Sequence, residues 1–131
     1  MRERAQRLAR YCSERVGESL RFVSIYNVPP DSADGPGMIY VREDLQSEYT
    51  PDELSGLLDH AAGVHERVLG AESHTDVLGE ADAAVYVFEN AVIMQLVCEP
   101  DAGIVVSFDP GATQYLSDFV TDCLEQAGIE S

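Results

Sequence analysis

The chain has 131 residues, enough for one hydrophobic core and too few for two, so a single domain spanning 1–131 is expected. Twenty-four acidic residues face eight basic ones, every one of them Arg, for a net charge of −16. So much like charge repels itself where the Debye length is roughly 8–10 Å and is tolerated in molar salt, where it falls to about 3 Å, which points to a halophilic archaeal cytoplasm. A hydrophobic content of 45 % argues against a disordered acidic chain. No run approaches the roughly 18 apolar residues of a membrane span, and Met1 leads into an Arg-rich helical pattern rather than a signal sequence. A cytoplasmic protein without a membrane partner is therefore expected. Nucleic acid is excluded as well, because the acidic body repels phosphate and molar salt removes the counterion-release advantage.

From Arg2 to about Glu18, Ala5, Leu8, Ala9, Cys12 and Val16 recur at three- and four-residue intervals, the spacing of one helical face that closes near Gly17. Leu20 to Asn27 is rich in β-formers, with Phe22, Val23, Ile25 and Tyr26, and predicts a first strand. A turn-rich loop from Val28 to Gly37 leads to a second strand, Met38 to Arg42. Thr50-Pro51-Asp52-Glu53 supplies a capping Thr, a Pro preset for the first turn and a Glu able to close a capping box. The second helix that starts there carries Leu54, Leu57, Leu58, Ala61, Val64 and Val68 on one stripe and stops at Gly70.

Three β-rich runs follow, Ala83 to Phe88, Ala91 to Cys98 and Gly103 to Phe108, joined by short turns as in an antiparallel meander. They are apolar almost throughout, so both faces of their sheet should be covered. Asp109-Pro110 is expected to open a third helix, with Ala112, Leu116, Phe119, Val120, Cys123, Leu124 and Ala127 facing the core up to Gly128. The predicted fold is α+β: a five-stranded antiparallel sheet with helices on both faces, in the order α-β-β-α-β-β-β-α.

That order resembles the roadblock/LC7 fold, within the profilin-like and longin-like group. The phrases Ser19-Leu20-Arg21, Tyr40-Val41-Arg42-Glu43-Asp44-Leu45 and Val87-Phe88-Glu89-Asn90 resemble those of a family of small uncharacterised haloarchaeal proteins. The resemblance implies a fold and an origin, and no activity. It also implies dimerisation through a strand edge and the central helix, and a role as a platform for other proteins, by analogy of fold.

Catalytic signatures are missing. His60 and His65 lie about 140° apart around the second helix and cannot converge on one metal, and His74 falls in the following loop. Cys12, Cys98 and Cys123 lack the close spacing of a zinc site or a disulfide framework and read as small buried hydrophobes. Neither a nucleophile elbow nor a phosphate-binding loop is present, since the glycines of Gly35-Pro36-Gly37 precede a strand. No catalytic residue, metal or cofactor is expected.

Two surfaces stand out instead. Residues 1–21 hold six Arg and three Glu, whereas residues 22–131 hold two Arg and twenty-one acids. Arg4, Arg7 and Arg10 on the first helix could dock an acidic partner, including a second copy of the chain; Glu3 with Arg7 and Arg10 with Glu14 could equally form ordinary i, i+4 pairs. The second surface is the Ala83 to Phe88 edge, where Val85, Tyr86, Val87 and Phe88 carry no charge to discourage strand pairing. It either pairs with a partner strand, Tyr86 and Phe88 serving as anchors, or is covered by the same chain. The expected function is a non-enzymatic interaction or regulatory module, dimeric with itself or a paralogue. A small-ligand sensor framed by Val28 to Gly37 and Gly70 to Asp82 is the alternative, and an enzyme pairing a His with a carboxylate is a third.

Overall fold

The computed structural model describes residues 2–26, 38–66, 77, 79, 82–99, 102–111 and 122–128. Helix α1 (Arg2–Val16) ends in a 3-10 turn (Gly17–Ser19) that feeds β1 (Leu20–Tyr26). Gly17 makes that turn with φ +57°, a left-handed conformation that side chains with a Cβ disfavour. Then come β2 (Met38–Val41), a four-residue helix α2 (Leu45–Glu48), α3 (Pro51–Val64), β3 (Ala83–Val87), β4 (Val92–Val97) and β5 (Gly103–Phe108). Residues 122–126 form a C-terminal helical segment.

The strands form one antiparallel sheet in the order β2-β1-β5-β4-β3, which leaves β2 and β3 at its edges. Side chains alternate between the two faces of each strand. On one face Val23, Ile25, Met94, Leu96, Ile104 and Val106 pack against Ala5, Leu8 and Cys12 of α1 and against Cys123, Leu124 and Ala127. On the other, Phe22, Tyr26, Ile93 and Val105 pack under Ala61, Leu57 and Leu58 of α3. The expected α+β architecture is thus the observed one, with every residue of β1 and β5 buried because helices cover both faces.

The capping box of α3 is formed as expected: Glu53 N donates to Thr50 Oγ1 at 3.1 Å, and Thr50 N donates back to Glu53 Oε1. Two local expectations are corrected. Helix α2 was not foreseen, being a single turn with too few residues to show a period. The helix expected from Asp109-Pro110 does not begin there: residues 110–111 form a turn with Gly111 at φ +88°, and the Asp109 carboxylate is taken up by two Arg side chains, while residues 112–121 lie outside the described residues. Val68, Gly70, His74, the loop from Val28 to Gly37, most of the Gly70 to Asp82 segment, and Ala112, Leu116, Phe119 and Val120 lie outside the described residues.

Candidate interaction surface

Strand β3 pairs with β4 on one side, and among the described residues no strand pairs with its other side. Val97 N donates to Asp82 O at 2.9 Å and Phe88 N to Ala91 O at 2.8 Å, so the even-numbered residues Ala84 and Tyr86 share the β4-facing hydrogen bonds. The backbone N–H and C=O groups of Ala83, Val85 and Val87 point the other way, along the open edge. Their side chains lie on the α1 side of the sheet, where Ala83 and Val85 pack partly against the core and Val87 is 75 % exposed. Tyr86 turns to the α3 side, half-buried, and donates its hydroxyl hydrogen to Gln95 Oε1 at 3.3 Å. Phe88, at the start of the hairpin turn, is 55 % exposed.

Helix α3 borders the same surface and is held to the sheet by polar groups as well as apolar ones. Gln95, fully buried on β4, donates from Nε2 to Ala61 O at 2.7 Å. Tyr26 Oη lies 2.5 Å from His65 Nδ1 at the end of α3, with both side chains buried. Burial pushes the Tyr26 phenol up to about 12, a hydrogen bond with Gln95 opposing the shift. His60 is exposed while His65 is buried on the sheet, so the two do not meet, in keeping with their spacing. Among the described residues, no group of three or more His, Cys, Asp or Glu side chains is placed to hold a metal ion.

The Arg residues of α1 have different fates. Arg4 pairs with Glu99 at 3.6 Å, and Arg7 Nε donates to Gln126 O at 2.6 Å, so both serve this chain's own packing. Arg10 is exposed and makes no ion pair among the described residues.

A polar cluster that the sequence reading did not single out lies at the far end of the sheet. A bulge in β1 between Leu20 and Phe22 directs Arg21 inward, 9 % exposed, where Nη2 donates to Tyr49 Oη at 2.8 Å and Nη1 lies 3.5 Å from Asp109 Oδ1. Arg42 donates from Nε and Nη2 to the two Asp44 oxygens, at 2.7 and 3.1 Å, and from Nη1 to Asp109 Oδ2 and Glu18 O, both at 2.7 Å. Arg42 holds the Asp109 and Asp44 carboxyls below their usual range, and the carboxylates hold the Arg42 guanidinium charged. A cavity of about 460 Å³ opens beside it, lined by Glu18, Ser19, Tyr40, Arg42 and Asp109. The signal was present in the chain: after residue 21 only Arg42 and Arg67 are basic, and a solitary Arg in an acidic body needs a carboxylate partner.

Comparison with known proteins agrees with this architecture. A family model described as "Domain of unknown function (DUF7522)" matches residues 6–128. No curated protein matches the chain in sequence. Among solved structures, a roadblock/LC7 domain from Streptomyces avermitilis is similar, with a TM-score of 0.52 at 11 % identity over 84 % of this chain and 81 % of that one. At that identity the likeness is one of fold.

Proposed function

Because the chain belongs to the DUF7522 family, whose function is unknown, and folds as a roadblock/LC7 domain does, we propose that it is a non-enzymatic protein-interaction module. It works as a dimer, with itself or with a paralogue, through the β3 edge and the adjoining face of α3. Its setting is a haloarchaeal cytoplasm, in which salt screens the charge of −16.

The observation that carries this reading is the outer side of β3, where the backbone groups of Ala83, Val85 and Val87 meet no partner strand among the described residues and lie beside exposed Val87 and Phe88. Such an edge is a template for strand addition, and proteins that stay monomeric usually blunt it with charge or proline. A two-fold axis through Val85 aligns the edge with its own copy and satisfies the outward backbone groups of all three residues at once. Phe88 then supplies apolar area at each end of the joined strands. On α1, Arg4 and Arg7 are engaged within the chain, which leaves exposed Arg10, of the three, for contact with an acidic partner.

Light scattering coupled to size exclusion in molar KCl tests the proposal, and a dimer is the expected result. Val87→Lys is the variant of choice, because its side chain is exposed, whereas Val85→Lys also disturbs packing against the core. The variant should run as a folded monomer. A wild-type monomer in molar salt rules out pairing of β3 with its own copy, and a Val87→Lys variant that remains dimeric rules out β3 as the dimer edge.

The cavity beside Arg42 favours a second reading, a small-ligand sensor. In that case thermal melts against a metabolite panel give shifts that follow ligand concentration by mass action.

A further inference from the structure

Helix α1 and the C-terminal helical segment meet along a seam marked by three side-chain contacts. Arg7 Nε donates to Gln126 O at 2.6 Å, Tyr11 Oη donates to Asp122 Oδ2 at 3.2 Å, and Cys12 Sγ lies 3.9 Å from Cys123 Sγ. From Arg7–Gln126 to Tyr11–Asp122 the residue number rises by one turn along α1 as it falls along the partner, as in two antiparallel helices, and the Cys12–Cys123 contact lies beside the second of these. Both cysteines are fully buried, and 111 residues of sequence separate them. The spacing along the chain conceals this pairing, which only the packing of the two helices creates.

We propose that Cys12 and Cys123 form a latent disulfide that closes on exposure to a small-molecule disulfide and clamps the C-terminal segment onto α1. The sulfurs already lie 3.9 Å apart, and the bond closes that separation to about 2.05 Å. The environment favours a neutral product. A metal held by these two sulfurs would require thiolates inside an apolar core, and no third ligand joins them among the described residues. A disulfide places no charge there.

The reaction proceeds by exchange. The thiolate of one cysteine attacks a sulfur of the oxidant RS–SR, forming a mixed disulfide and releasing RS⁻. The other cysteine's thiolate then attacks the protein sulfur of that mixed disulfide, forming the Cys12–Cys123 bond and releasing the second RS⁻. Two protein thiols are oxidised, one RS–SR is reduced to two RSH, and the two thiol protons end on the released RS⁻ groups. Hydrogen bonding to Cys12, reinforced by burial, holds the Cys123 thiol protonated well above the usual thiol range, so exchange waits on opening of the seam. The oxidised state therefore forms slowly and, once formed, resists reopening.

Incubation of the full chain with oxidised glutathione, followed by peptide mapping and thermal melting, tests the proposal. The expected product has lost two hydrogens in mass, joins the Cys12 and Cys123 peptides within one chain, and melts on the order of 10 °C higher, reverting with dithiothreitol. A Cys98→Ser variant should behave in the same way. Glutathione retained on Cys98 alone, disulfides only between chains, or a Cys12–Cys123 bond that lowers the melting temperature would each overturn it.

Discussion

Tyr26 ties the centre of the sheet to the end of α3, and its replacement by Phe should change the alkaline stability of the protein in a calculable way. In the folded chain burial raises its phenol from 10.0 to about 12, so the folded state retains a proton that the unfolded state releases between those values. A raised folded pKa contributes stability that is present in full below pH 10 and lost as pH rises toward 12. Two units correspond to about 3 kcal/mol, a large share of a domain's stability. Tyr26→Phe removes this dependence. At pH 7 it should cost about 1–2 kcal/mol, because the contact with His65 Nδ1 is lost from a buried site. Urea unfolding of both proteins in molar KCl, from pH 7 to 12, provides the assay. The wild-type advantage should shrink above pH 10 and reverse before 12, since Tyr86, Tyr11 and Cys98, also raised, titrate alike in both proteins. Parallel stability curves across that range would refute the reasoning.

Gly103 has a Cβ position that collides with the Leu96 carbonyl and the Tyr26 ring, so Gly103→Ala should destabilise by about 3 kcal/mol in urea unfolding. Gly56 on α3 has open space at its Cβ, and Gly56→Ala should stabilise by about 0.5–1 kcal/mol. Arg42→Met breaks the contacts to Asp44, Asp109 and Glu18 O and should cost about 2 kcal/mol, reduced from the buried value by partial exposure, whereas Arg10→Met should stay within about 0.5 kcal/mol. The depressed Asp109 pKa adds stability that is present above about pH 4 and lost as pH falls through its folded value, so acid titration of Arg42→Met should show a weaker dependence below about pH 4.

The open edge and the polar cluster differ in how visible they are before folding. Uncharged Ala83 to Phe88 reads as a strand with nothing to repel a neighbour, and the sheet order puts it on the outside. Tyr86 reads as an anchor of that edge, and pleating places it on the α3 side, where it donates to Gln95. Arg21 and Arg42 fall inside the phrases that suggested a family. Their meeting at Asp109 depends on a bulge in β1 and on the adjacency of β1 and β5, neither of which has a local signature.

Periodicity, caps and turn residues are local, and from them the sequence alone determined the five described strands, helices α1 and α3, the capping box of α3 and the need to cover both sheet faces. Contacts across long stretches of chain were decided only by the tertiary structure. Arg42 reaches Asp109 over 67 residues, Cys12 meets Cys123 over 111, and Arg7 reaches Gln126 over 119. Each partner is chosen by the packing angle and register of whole elements, which sum many weak contacts and leave no mark at any one position.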